Sequence, residues 1–193
     1  MAGKQKNEFV QLGGVLCAIT LVVALCLGAV NAITVDPIAK QNQIKTENAL
    51  AQVMDADSEP IEVAEGTTAT TDKGTVVEIV SAYKMTKDGQ DAGYCVEVAP
   101  TGFGGGVDTM VGIGVDGTIT GISIISASSE TPGLGANSTK PEFQEQFAGQ
   151  PADGTVAVEK DGGSIVALTG ATITSRAVSE GVNAAVKFAA EQG

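Results

Sequence analysis

The stretch Leu168-Thr169-Gly170-Ala171-Thr172-Ile173-Thr174-Ser175 sets the hydroxyls of Thr169, Thr172 and Thr174 beside two small residues at a strand-to-helix turn. A strand-like run, Ser164 to Leu168, enters it. Val178, Val182, Ala185, Val186 and Ala189 leave it at helical spacing and predict a helix over 175–191. The first N–H groups of a helix lack internal partners and lie at the positive end of its dipole, so this turn suits a phosphate. Gly170 and Ala171 let a group approach the backbone closely. Thr174 or Ser175 is the expected N-cap of that helix, and the competing interpretation is no more than a capped helix with a small-residue entry. A threonine-nucleophile hydrolase is disfavoured, because no base lies near Thr172 in sequence.

The chain of 193 residues has no histidine, which excludes Ser-His-Asp and Cys-His triads and any histidine-ligated metal. Its cysteines are Cys17, Cys26 and Cys95. On one helix Cys17 and Cys26 face opposite ways, so they share neither a metal nor a disulfide. Cys95 sits alone in a strand pattern as a small core residue. No catalytic or metal site is therefore assigned to this chain. The net charge of −12 argues against a nucleic-acid partner.

Val10 to Ile33 carries no charge over 24 residues, about 36 Å of helix and enough to span a bilayer. A cleaved signal peptide has a shorter apolar region, about 7–15 residues. Val30-Asn31-Ala32 passes as a cleavage site, but the length favours a retained single-pass anchor. Lys4 and Lys6 precede the span and Asp36 is the first charge after it, which predicts that residues 1–9 are cytoplasmic and the C-terminal domain extracytoplasmic. Small residues Gly13, Gly14, Ala18, Ala24 and Gly28 permit close packing against other membrane helices.

Asp36-Pro37 reads as a cap and first helical position, opening a stalk helix that continues from the membrane to about Met54. Asp55 to Thr75 reads as linker or irregular edge. Residues 34–74 are thus stalk and linker, and 75–193 a folded domain. Thr75–Met85 and Gly93–Val98 are strand-like around a Lys87-Asp88-Gly89 turn. Val107–Val115 and Thr118–Ile125 flank Asp116-Gly117, a two-residue hairpin signal. Thr155–Glu159 and Ser164–Leu168 suggest another hairpin, and Pro141–Ala148 a short helix with Phe143 and Phe147 on one face. The expected class is α+β, a single N-terminal transmembrane helix followed by an antiparallel sheet packed with helices.

Two loops stand out besides the turn. Thr101-Gly102-Phe103-Gly104-Gly105-Gly106 admits a flat ligand or another backbone. Glu130-Thr131-Pro132-Gly133-Leu134-Gly135 forces a tight turn and holds Leu134 in a loop, where it meets a ligand or plugs the core. In this order GFGGG, ETPGLG and TGATITS resemble the exported FMN-binding domain of the G subunit of the Rnf complex, the ion-translocating ferredoxin:NAD oxidoreductase. The C subunit of the Na+-translocating NADH:quinone reductase is its relative, and the short chain favours Rnf.

The resemblance covers the whole chain. It implies a phosphoester between Thr172 and FMN, made by a separate flavin transferase. It implies that Glu130, Thr131 and Leu134 approach the flavin, and that Thr169, Gly170, Ala171 and Thr174 shape its phosphate end. It implies an electron carrier within a translocase in the cytoplasmic (inner) membrane, anchored beside the other Rnf membrane subunits, one of which bears a second flavin. Two positions depart from the pattern: Val166 stands where the family often has Asp, and Ser128-Ser129 where it often has His. The first bears on recognition by the transferase. The rival class is a membrane-anchored binding or scaffold domain without a redox cofactor. With no histidine and one cysteine beyond the span, a redox role needs a supplied cofactor. Ferredoxin, NAD and quinone sites fall on other chains, since this one has no cluster-binding cysteines and no dinucleotide fingerprint.

Overall fold

The computed structural model describes residues 2–192, with side chains from Val10 onward. The side chains of Lys4 and Lys6, on which the expected orientation rests, lie outside that range. The chain divides into a unit through Ile44 and a unit from Lys45 onward.

The first unit is part of one helix, α1 (Ala2–Val53). It is long and apolar enough to cross a membrane. Every side chain from Val10 to Ile33 is exposed. Thr20 donates its hydroxyl to the Leu16 carbonyl at 3.0 Å, which satisfies the one hydroxyl of the span internally. The stalk is not a separate helix opened by Asp36. Pro37 lies inside α1, where it forfeits a single ladder hydrogen bond. Helical neighbours on both sides hold the backbone, and the Thr34 hydroxyl bonds to the Val30 carbonyl at 2.9 Å.

In the second unit the strands are β1 (Asp57–Ile61), β2 (Thr68–Thr70), β3 (Val76–Lys87), β4 (Gln90–Ala99), β5 (Asp108–Gly114) and β6 (Ile119–Ser126). They form one antiparallel sheet in the order β1-β3-β4-β5-β6, with β2 also pairing to β3. The helices that follow are α2 (Pro141–Gln144) and α3 (Thr172–Ala190). The α+β expectation therefore holds.

Residues 55–75 are more than a linker. β1 and β2 are short and polar, and they use β3 as their template, pairing Asp57–Ile61 with Ala82–Thr86 and Thr68–Thr70 with Val76–Glu78. The β3–β4 turn holds Asp88 at φ 54° and Gly89 at φ 76°, the two left-handed residues of a two-residue hairpin. The β5–β6 connection is longer than expected. Gly114 N–H donates to the Thr118 carbonyl around Val115-Asp116-Gly117, and Gly117 alone has positive φ at 77°.

No hairpin forms over 155–168. Val158 and Ile165 meet in an isolated parallel bridge. The backbone of Val156 is instead paired by the Asn183 amide, which accepts from its N–H and donates to its carbonyl, both at 2.9 Å. Over 141–148, α2 passes into a 3-10 turn, and Phe143 and Phe147 pack edge to face at 5.4 Å.

Both faces of the sheet are covered. On one, Val178, Val182, Ala185, Val186 and Ala189 of α3 pack with Val77, Val96, Val98 and Val111. On the other, Ala49, Leu50 and Val53 from the end of α1 pack with Met85, Cys95 and Met110. Gly112 admits Val53, since a Cβ there would lie 3.1 Å from it. Cys95 is a core residue as expected, and burial pushes its thiol up to about 12.

Candidate functional site

Thr172 is the first residue of α3. Neither Thr174 nor Ser175 is its N-cap. The cap is Ala171, which offers no side-chain hydrogen bond, so the N–H groups of Thr172, Ile173 and Thr174 have no intrahelical partner. The two expected caps are engaged elsewhere. Ser175 accepts from the Leu168 N–H at 2.9 Å and donates to the Ala171 carbonyl at 3.0 Å. This pins the turn Leu168–Ala171, which Ala171 N–H closes onto the Leu168 carbonyl at 3.0 Å. Gly170 takes φ 76° at its third position, where a type II turn requires it.

Thr174 is fully buried and donates its hydroxyl to Glu130 Oε2 at 2.7 Å. Glu130 is itself 4% exposed, and its Oε1 accepts from the Gly104 N–H at 3.0 Å. One carboxylate thus joins all three sequence motifs. Space for it comes from glycine: a Cβ on Gly102 would overlap Oε1, and one on Gly135 would overlap Oε2. Gly104 is glycine because a Cβ would collide with the Ser129 carbonyl. At that position the glycine loop admits another backbone rather than a flat ligand.

The ETPGLG segment turns as expected, with Leu134 N–H donating to the Thr131 carbonyl at 3.1 Å and Gly133 at φ 79°. Leu134 does not plug the core. It is 41% exposed and rests against Gly170, whose Cβ would lie 3.0 Å from Leu134 Cδ2.

These segments enclose a cleft of about 410 Å³ lined by Glu130, Thr131, Leu134, Gly170, Ala171, Thr172 and Thr174. Thr169 is exposed beside it and is not among the lining residues. Four further residues line it: Gly135, Phe103, Ile173 and Lys160. Phe103 and Ile173 are exposed apolar side chains, and for Phe103 its place among glycines was the available signal. Lys160 has no local signature, since long-range contacts set its position. Asp161 and Arg176 form a forked pair beside it, with Arg176 Nε donating to Oδ2 at 2.6 Å and a terminal nitrogen to Oδ1 at 2.7 Å. The hydrogen bonding from Arg176 holds the Asp161 carboxyl below its usual range. Val166 is 55% exposed, and Gln146 receives its N–H at 2.7 Å. Chemically, the cleft offers free N–H groups, a half-buried hydroxyl on Thr172, one cation and apolar walls.

Comparison with known proteins fits this arrangement. Residues 102–187 match the FMN-binding domain family. The G subunit of the Na+-translocating ferredoxin:NAD+ oxidoreductase complex of Acetobacterium woodii is 34% identical over 92% of this chain and 89% of its own. The G subunit of the proton-translocating ferredoxin:NAD+ oxidoreductase complex of Clostridium ljungdahlii is 31% identical, over 95% and 93%. The crystal structure of the C subunit of the Na+-translocating NADH-quinone reductase of Parabacteroides distasonis shares the fold, with TM-score 0.53 and 21% identity over 79% of this chain and 93% of that one. The chain therefore belongs to the G-subunit family of the ion-translocating oxidoreductase (Rnf) complexes.

Proposed function

We propose that this chain is an electron-transfer subunit of an ion-translocating ferredoxin:NAD oxidoreductase complex, with FMN esterified through its phosphate to Thr172 of an extracytoplasmic domain. The observation that carries this is the meeting of three sequence motifs at one cleft around an uncapped helix start, with Thr172 as its first residue. The donor set fits a phosphate: N–H groups at a helix terminus, Lys160, and no free carboxylate, because Glu130 is occupied on both oxygens. FMN supplies the redox chemistry that the chain's own side chains lack. The protein residues bind and orient. Thr172 provides the hydroxyl for the ester, Leu134 and Phe103 provide apolar surface, and Glu130 holds the three segments in place. A separate flavin transferase makes the bond. Covalent attachment removes the dependence of occupancy on free cofactor, which matters outside the membrane.

Mass and absorbance of the chain purified from cells holding the flavin transferase test this reading. Flavin that stays with the chain through denaturation is expected, and a colourless, unmodified chain overturns it in favour of a scaffold domain.

Two further outcomes follow from the anchor. A reporter active only in the cytoplasm, fused after Gly193, is expected to be silent, because Lys4 and Lys6 hold the N-terminus inside. Strong reporter activity reverses the orientation. Removing residues 1–33 is expected to leave a soluble domain that no longer co-purifies with the membrane subunits, including the second flavin-bearing one. Undiminished co-purification would show that docking lies in the domain.

A further inference from the structure

Lys160 lies outside the three sequence motifs that build the site, yet its position is firmly built. It sits in the 3-10 turn Glu159–Asp161, which ends at Gly162 with φ 88°. Gly163 then packs tightly on Ala157, whose carbonyl oxygen would collide with a Cβ there. Val158 and Ile165, on either side of the turn, are fully buried. Arg176 grips Asp161 with two bonds. Arg176 follows Thr172 by four residues, one turn along α3 and on the same face. The turn that carries Lys160 is therefore tied to the helix that Thr172 begins.

Lys73, Lys84, Lys87, Lys187 and Arg176 each have a carboxylate oxygen within 4.0 Å. Lys160 makes no ion pair among the described residues. Lys140 also lacks an ion pair among them, so it is the combination of an unpaired charge and a place in the cleft that marks Lys160. The neighbouring Asp161 is engaged by Arg176, and Glu130, the carboxylate of the cleft, is engaged by Gly104 and Thr174. In a chain of net charge −12, a cation without an ion pair, set in a cleft beside free N–H groups, selects a negatively charged ligand group.

We propose that Lys160 is a phosphate-binding residue, its ammonium pairing with the phosphate oxygens of FMN while the N–H groups of α3 bind them from the other wall. This rests on the reading that the cleft holds FMN. The pairing does not require the ester, so it shows in reversible binding.

The test uses the full-length chain in detergent with Thr172→Ala, which cannot form the ester. FMN and riboflavin are titrated against it and followed by flavin fluorescence. Adding Lys160→Gln is expected to weaken FMN about tenfold and leave riboflavin, which has no phosphate, unchanged. Lys160→Arg is expected to keep most of the FMN affinity. Unchanged FMN affinity in Lys160→Gln, or an equal loss for riboflavin, overturns the assignment. A Thr172→Ala chain that binds neither flavin also overturns it when the wild type is loaded, as intact mass shows. A wild type that carries no FMN beside its transferase instead sinks the flavin reading itself.

Discussion

Thr172→Ala is expected to abolish all flavin that survives denaturation while leaving the fold intact. The Thr172 side chain is half-buried at the cleft, and its hydroxyl makes no hydrogen bond among the described residues. Alanine at a first helical position costs little, within about 0.5 kcal/mol for a site without internal partners. Its neighbours are less suited to carry an ester. Thr174 is buried with its hydroxyl committed to Glu130, and Thr169 is exposed outside the cleft lining. In the wild type, trypsin should release Asp161–Arg176 bearing the mass of FMN less water, and fragmentation should place it on Thr172. Thr172→Ser should retain a fraction. Flavin found on Thr169 or Thr174, or unchanged covalent flavin in Thr172→Ala, refutes the assignment.

Glu130→Ala is expected to be the most destabilising single change at the site. It leaves the Gly104 N–H and the buried Thr174 hydroxyl without partners, and it empties the space between Gly102 and Gly135. Two lost bonds to a charged acceptor plus the void cost about 2–4 kcal/mol. In a domain of this size the melting temperature should fall by about 5–15 °C. Glu130→Gln should cost less than half of that. Its carbonyl oxygen keeps the bond from Gly104, and the Thr174 hydroxyl rotates to accept from the amide. Thermal melts followed by circular dichroism decide the matter. A Glu130→Ala melt within a degree or two of wild type would show that the carboxylate does not hold the segments together.

What was legible in the sequence followed how local its cause was. The apolar face of α3 is periodic, and β3 to β6 are β-branched runs bounded by turn signals, patterns that do not depend on distant partners. Asp88-Gly89 announced its turn because both residues tolerate positive φ. β1 and β2 were hidden, because five and three mostly polar residues become strands only when β3 offers an edge. The expected hairpin over 155–168 failed for the same reason in reverse, since Asn183, 27 residues away, supplies the hydrogen bonds that a strand partner would have made. The cleft was half legible. Thr172 and Leu134 lie within recognisable turns, but the contact that unites the motifs runs from Glu130 to Thr174 across 44 residues. A hydroxyl that looked like a helix cap was serving a distant carboxylate, and Lys160 owes its place to a pair formed by its neighbour.

The last turns of α1 belong to the core of the domain. Val53 accepts a hydrogen bond from Thr120 through its carbonyl, and Gln52 accepts one from Ser123, both at 2.6 Å. A protease cutting between residues 34 and 44 would therefore shed a complete domain, because the second unit begins at Lys45. A cut beyond Ala49 would strip one face of the sheet and bare Met85, Cys95 and Met110 to water. The Cys95 thiol, inert while burial keeps it protonated, would then become open to oxidation. Shedding thus has a narrow permitted window, and a fragment trimmed past it is marked by a newly reactive sulfur.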